Sequence, residues 1–97
     1  MPDREFEWDG AKAAANFGKH GVDFATATEV FADPFAIEAL DPDSDMHGEA
    51  RFRITGRGGG VLPTVVYTDR HERIRIISAR RATRQEHDND HIANSQA

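Results

Sequence analysis

The feature that most constrains this chain is a change of hydrophobic period at Asp33-Pro34. Before it, apolar residues recur at helical spacing. In "FATATEVFA" (24–32), Phe24, Ala27, Thr28 and Phe31 fall on one helix face, and Asp23 stands where a cap belongs. After it the period is two. "FAIEAL" (35–40), "RFRITGR" (51–57), "VLPTVVYT" (61–68) and "RIRIISA" (73–79) read as four successive strands. A helical pattern does not settle into a sheet, nor an alternating one into a helix. The chain must therefore build helices first and a sheet afterwards.

The remaining elements fit that division. "REFEWD" (4–9) alternates and predicts a short first strand, with Asp9 as the cap of the next helix. "GAKAAANFGKH" (10–20) is rich in helix formers, with Ala13, Ala14 and Phe17 as its apolar face and Gly21 as its stop. "DPDSDMHGE" (41–49) is an acidic, turn-rich loop, "GGG" (58–60) a hairpin turn and "DRHE" (69–72) a tight turn. Pro63 sits near a strand start, where a missing donor is tolerated. Thr83 with Glu86 forms a capping-box signature, so a C-terminal helix is expected from about residue 83, with the tail fraying over 87–97. The expected class is α+β, in the order β-α-α-β-β-β-β-α. Short turns between sequential strands imply an antiparallel meander, with helices on one face and the other face free.

Ninety-seven residues suit one domain spanning 1–97. A chain of that size buries only about two-thirds of its unfolded surface, so help from a partner is expected. There are no cysteines, which excludes disulfides and thiolate metal sites. No apolar run nears the roughly 20 residues that span a bilayer, and the charged N-terminus has no signal core. The expectation is an intracellular, cytoplasmic protein with no membrane association.

Charge is segregated along the chain. Residues 1–50 hold three Lys/Arg against twelve Asp/Glu, whereas residues 51–84 hold nine arginines against two acids. The net charge is -5. Arginine presents a planar fork that matches phosphate oxygens and keeps its charge at any working pH. The basic block is thus a candidate surface for a polyanion or an acidic protein. The alternative is that these arginines pair with the acids of the first half.

Several stretches also carry a family resemblance. "FEWDGAKAAANFGKHGVDF", "EVFADP", "GEARFRITGR", "VVYTDRHERIRIISARRAT" and the Glu86 beyond resemble the BrnT toxins of bacterial type II toxin–antitoxin systems. The resemblance covers residues 5–86, in order and without large gaps. It implies a fold similar to RelE-type ribonucleases and a toxin that cleaves RNA and halts translation and growth. It implies neutralisation by a cognate ribbon-helix-helix, BrnA-like antitoxin. Two toxins would assemble with two antitoxins and repress their own operon, touching operator DNA through the antitoxin alone.

Metal-independent RNA cleavage needs a base for the 2′-hydroxyl proton, an acid for the leaving oxygen and cations at phosphorus. Arg80, matching the family's "SAR" arginine, is the first candidate phosphate clamp, at the start of the C-terminal helix. The alternative for it is a salt bridge with Glu86 or with an acid of the N-terminal half. Arg51 matches a family position and is a second stabiliser, against the alternative of an edge charge. Lys19 and His20 close the first helix, where cations are favoured by the dipole alone. Functionally, Lys19 would hold phosphate and His20 would move a proton. Tyr67 would stack on a base or assist proton transfer, against plain packing. Arg53, Arg75 and Arg81 would extend RNA binding. Glu86 is a cap before it is a base, and Trp8 is core. His87 and His91 have metal-ligand spacing on a helix, yet a solvated face is the better reading, so no metal and no cofactor are expected.

A non-catalytic alternative uses the same surface. A degenerate toxin would serve as the antitoxin-binding subunit of a repressor complex.

Overall fold

The computed structural model describes residues 5–42, 49–58, 60–84 and 86. The elements run β1 (Phe6–Glu7), α1 (Gly10–His20), α2 (Phe24–Ala27), a 3-10 helix (Thr28–Ala32), β2 (Ile37–Leu40), β3 (Phe52–Thr55), β4 (Pro63–Arg70) and β5 (Arg73–Arg81). The expected class and the helix-then-sheet division are observed.

The sheet departs from a pure meander. Its five strands lie in the order β1-β5-β4-β3-β2. β2 through β5 pair antiparallel with their sequence neighbours. β1 adds parallel to β5, with Phe6 opposite Ile74 and Glu7 opposite Arg75, so the sheet is mixed. A parallel pair needs a long connection. Here α1, α2 and β2 to β4 together form it.

Two helix expectations are corrected. The run 24–32 is α-helical only to Ala27 and then tightens into a 3-10 turn. Asp23 does cap it, accepting from the Ala25 amide at 3.4 Å. In α1, Asp9 holds the cap position but its side chain makes no cap bond. The apolar face is also rotated. Phe17 is 56% exposed, whereas Asn16 is buried. The cause is a side-chain amide that behaves like backbone. Asn16 Nδ2 donates to the Ala79 carbonyl at 2.7 Å, and its Oδ1 accepts from the Ala79 amide at 3.2 Å. Beyond Arg75, no strand among the described residues lies on that edge of β5, and Asn16 supplies the missing pairing. Its amide also reaches the Val22 carbonyl at 3.2 Å, tying the helix end to the next segment. Gly21 stops α1 as expected, in the left-handed region at φ 70.

The core lies between the helices and one sheet face. Phe24, Ala27 and Val30 pack there on Ile54, Val65, Ile74, Ile76 and Ala79. Trp8 meets Phe24 edge-on at 6.0 Å, as a core residue. Gly56 allows the 3-10 helix to sit down on β3. A Cβ there would meet Asp33 Oδ2 at 2.8 Å and Val30 Cγ2 at 2.8 Å. Asp33 uses that closeness to accept from the Arg57 amide at 2.8 Å.

One irregularity decides what the opposite face carries. Val66 faces Ser78, but the next residue, Tyr67, faces Ile76, so Ile77 is an extra residue in β5. Such a bulge shifts the alternation by one. Below it Ile74 and Ile76 point to the core; above it Ala79 does. Arg75 and Arg80, separated by an odd number of positions, therefore share the face away from the core.

Among the described residues no helix is long and apolar enough to cross a membrane. The predicted C-terminal helix, the frayed tail, His87 and His91 lie outside the described residues, as does most of the acidic loop. Only the start of that helix, at Thr83 and Glu86, is within them.

Candidate functional site

The face opposite the core is a polar surface built on three threonines. Thr55, Thr64 and Thr68 are each buried, although no helix among the described residues covers them. Their cover is a layer of arginines and carboxylates. Register places Arg53 opposite Val66, Arg75 opposite Thr68 and Arg80 opposite Thr64, all on this side. Alternation places Arg51 there too, two residues before Arg53. The structure thus brings together Arg51, Arg53, Arg75 and Arg80, four of the five arginines singled out from the sequence.

At one end of this face, everything converges on Glu86. Its Oε1 accepts from Arg80 Nη1 at 2.8 Å, from Thr64 Oγ1 at 3.0 Å and from the Thr83 amide at 2.8 Å. Its Oε2 accepts from Arg80 Nη2 at 3.2 Å, completing a bidentate fork. Arg53 Nη1 adds an ion pair at 3.7 Å. Behind this, Thr64 and Thr55 share a hydroxyl hydrogen bond of 2.7 Å. The Glu86 amide donates back to Thr83 Oγ1 at 3.2 Å, so the capping box is formed. Burial by itself would raise the Glu86 pKa. The Arg80 fork, the Thr83 amide and the Thr64 hydroxyl outweigh it and bring the value down to about 2. An acid that weak as a base takes up protons poorly near neutrality, which argues against Glu86 as the catalytic base.

At the other end the charges are looser. Arg70 pairs with Glu49 at 3.1 Å and Arg51 pairs with the same carboxylate at 3.9 Å. Arg75 pairs with Glu7 at 2.8 Å. Between them opens a cleft of about 200 Å³, walled by Lys12, Arg51, Arg70 and Arg75 with Asp9 and Glu49. Five residue steps along a strand separate Arg75 from Arg80, a span of roughly 16 Å.

Of the two sequence readings of the arginines, the structure shows pairing for most of them. Arg51, Arg53, Arg70, Arg73, Arg75 and Arg80 each have a carboxylate partner. Glu5, Glu7, Asp41 and Glu49 come from the first half, and Glu86 from the last. Arg57, Arg81 and Arg84 have no ion pair among the described residues. Arg81, at the end of β5, is exposed and alternates to the side opposite Arg80.

Tyr67 lies on the core side. It is 4% exposed and packs against Phe31 at 5.0 Å and Phe52 at 5.6 Å between ring centres. The packing alternative describes it, and its ring is not available to stack on a base from the arginine face. Lys19 and His20 end α1. His20 is one turn beyond Asn16, the residue that ties α1 to Ala79 of β5. Neither side chain makes a hydrogen bond or ion pair among the described residues.

The sequence reading passed over Lys12, Asn16, Thr64 and Arg70. Lys12 and Asn16 had a signal: both fall in the "FEWD…K…N…KHGV" pattern, and an asparagine amid alanines is out of place on an apolar helix face. Thr64 had none, because a threonine in an alternating strand is ordinary.

Over residues 8–86 the chain matches the family described as "Ribonuclease toxin, BrnT, of type II toxin-antitoxin system". No curated protein matches the chain.

Proposed function

We propose that this chain, which belongs to the BrnT family of ribonuclease toxins from type II toxin–antitoxin systems, cuts RNA on the arginine face of its sheet, in a fold of RelE type and without a metal. In this reading it acts in the cytoplasm and arrests translation and growth. A ribbon-helix-helix antitoxin neutralises it in an assembly of two toxins with two antitoxins, which reaches operator DNA through the antitoxin.

Arg80 grips the scissile phosphate in two-pronged fashion, Arg53 lowers the energy of the charge that builds on phosphorus, and Arg51, at the Glu49 end, stabilises charge on the neighbouring phosphate. Lys19 contacts the same strand of RNA. His20 exchanges the proton of the 2′-hydroxyl or of the leaving 5′-oxygen, since an imidazole can both take up and give back a proton. Arg75, with Lys12 and Arg70 around the lower cleft, tracks the backbone one or two nucleotides away. Arg81 adds an exposed charge at the strand end. Tyr67 keeps a packing role.

The observation that carries this reading is the gathering of four arginines on one face of an acidic chain that matches a ribonuclease toxin family. A second observation favours another reading. The face arginines are already paired with carboxylates, which suits a degenerate toxin that serves as the antitoxin-binding subunit of a repressor.

Controlled expression separates the two. The chain is expressed alone and together with its neighbouring gene, and growth and total RNA are followed. Growth arrest with fragmented RNA, lost in Arg80→Ala and suppressed by the neighbour, is expected. Normal growth with intact RNA would leave the repressor-subunit reading in possession.

A further inference from the structure

The donor set around Glu86 has the form of an anion site. Two guanidinium N–H groups, one hydroxyl and one backbone amide point at two oxygens that share a single negative charge. A phosphodiester offers the same charge and a similar pair of non-bridging oxygens. Thr64, fully buried, has its hydroxyl held ready by Thr55. Arg53 contributes charge from the neighbouring strand at 3.7 Å, with a buried Nε–H that has no hydrogen-bond partner. That Nε lies 3.7 Å from Asp41 Oδ1, so Arg53 meets Glu86 through Nη1 alone and without a hydrogen bond.

We propose that Glu86 is an internal competitor for this phosphodiester subsite: its carboxylate occupies the position between Arg53, Thr64, Arg80 and the Thr83 amide that an RNA phosphate takes when RNA binds. The inference rests on the nuclease reading for the identity of the anion. The exchange trades one unit of negative charge for another, so the half-buried arginines never stand unpaired. It needs side-chain rotation of Glu86 and loss of one half of the capping box, without a rearrangement of the sheet. The resident carboxylate also keeps stray anions off the site and makes RNA binding weaker than the arginine count suggests.

The test measures binding apart from cleavage. A short single-stranded RNA carrying 2′-O-methyl groups throughout, which lacks the attacking hydroxyl, is titrated against the full-length chain by fluorescence anisotropy. Glu86→Gln retains an acceptor for the Thr83 amide and the Thr64 hydroxyl but drops the charge. It should bind about tenfold more tightly. Its log-affinity against log-salt slope should steepen by about 0.7, the share of one more neutralised phosphate on a single strand. Arg80→Ala should lose that gain when combined with Glu86→Gln. Equal or weaker binding by a folded Glu86→Gln overturns the proposal. So does a tighter grip on a polyglutamate peptide without one on RNA, which would assign the site to an acidic protein.

Wild-type protein gives an independent readout should the variant fail to fold. The side-chain carboxyl carbon of Glu86, followed by NMR during acid titration, should move back toward an ordinary carboxylate pKa at saturating oligonucleotide. An unchanged Glu86 signal at saturation overturns the proposal. The two readings fail differently. Cleavage of unmodified RNA with no effect of Glu86→Gln on binding removes the competitor and leaves the nuclease. Displacement of Glu86 with no cleavage leaves the anion site and removes the nuclease.

Discussion

The two ends of the arginine face use the same chemistry to different effect. Around Glu86, a bidentate fork, a buried threonine and a backbone amide hold one carboxylate, and its side chain is 18% exposed. Around Glu49, a single guanidinium nitrogen of Arg70 reaches both carboxylate oxygens, at 3.1 and 3.4 Å, Arg51 stands off at 3.9 Å, and Arg70 is 42% exposed. Coulomb attraction between such partners is weakened by solvent and salt, and holding long side chains together costs entropy. The lesson is that pairing by itself says little about a site. What separates the two ends is how many donors are fixed in place before the anion arrives. The Glu86 end is preorganised by two strands and a helix start. The Glu49 end is a loose rim around a cleft.

The contrast is sharpest in stability. Arg80→Ala leaves Glu86 partly buried without its main partner and should cost about 2–3 kcal/mol. Arg75→Ala, which breaks one 2.8 Å pair with Glu7, should cost less than about 1 kcal/mol. Urea denaturation of both variants measures the difference. Equal costs would mean that the two ends are energetically alike.

Acid gives the next largest effect. The folded-state pKa of Glu86 is about 2, against an ordinary value of 4.5. A group with a depressed folded pKa contributes stability in full above its unfolded value and loses it as the pH falls through the folded one. Stability should therefore drop as the pH is lowered from about 4.5 to about 2, by on the order of 2 kcal/mol from this group. Glu86→Gln should lack that part of the drop, which chemical denaturation at stepped pH would show. An unaltered profile in Glu86→Gln would place the acid sensitivity in other carboxylates.

The smallest effect belongs to the open end. Arg70→Ala should change stability by less than about 0.5 kcal/mol, readable as a shift in the urea midpoint. It should also lower RNA affinity modestly and make its salt slope shallower by about 0.7. A larger stability loss from Arg70→Ala than from Arg75→Ala would show that the Glu49 cluster is more rigid than its exposure implies.

Much of the fold was legible because it is local. Alternation marked β2 to β5, Gly21 marked the end of α1, and the Thr83–Glu86 spacing marked a capping box that the structure forms with reciprocal hydrogen bonds. Each of these depends on residues within a few positions of one another. The errors were non-local. Phe17 looked like the anchor of α1, yet Asn16 is, because the free edge of β5 near Ala79 needs a donor and an acceptor more than the core needs another ring. Tyr67 looked like a site residue, yet it falls on the core side of β4, between Phe31 and Phe52. The parallel placement of β1 had no marker in a two-residue strand.

The amino-acid order alone determined the class, the helix-then-sheet division, the split between acidic and basic halves, and the family. Tertiary structure decided where the arginines stand and what they hold. The extra residue at Ile77 is the clearest case: with strict alternation Arg75 and Arg80 would point to opposite sides of the sheet, and with the bulge they share one. Nothing near Ile77 in the chain announces it, because a bulge answers to the fit between β4 and the core across from it. The same holds for the carboxylates. Glu5, Glu7, Asp41 and Glu49 reach their arginines only when the sheet closes, since ion pairing depends on distance in space and not on distance along the chain.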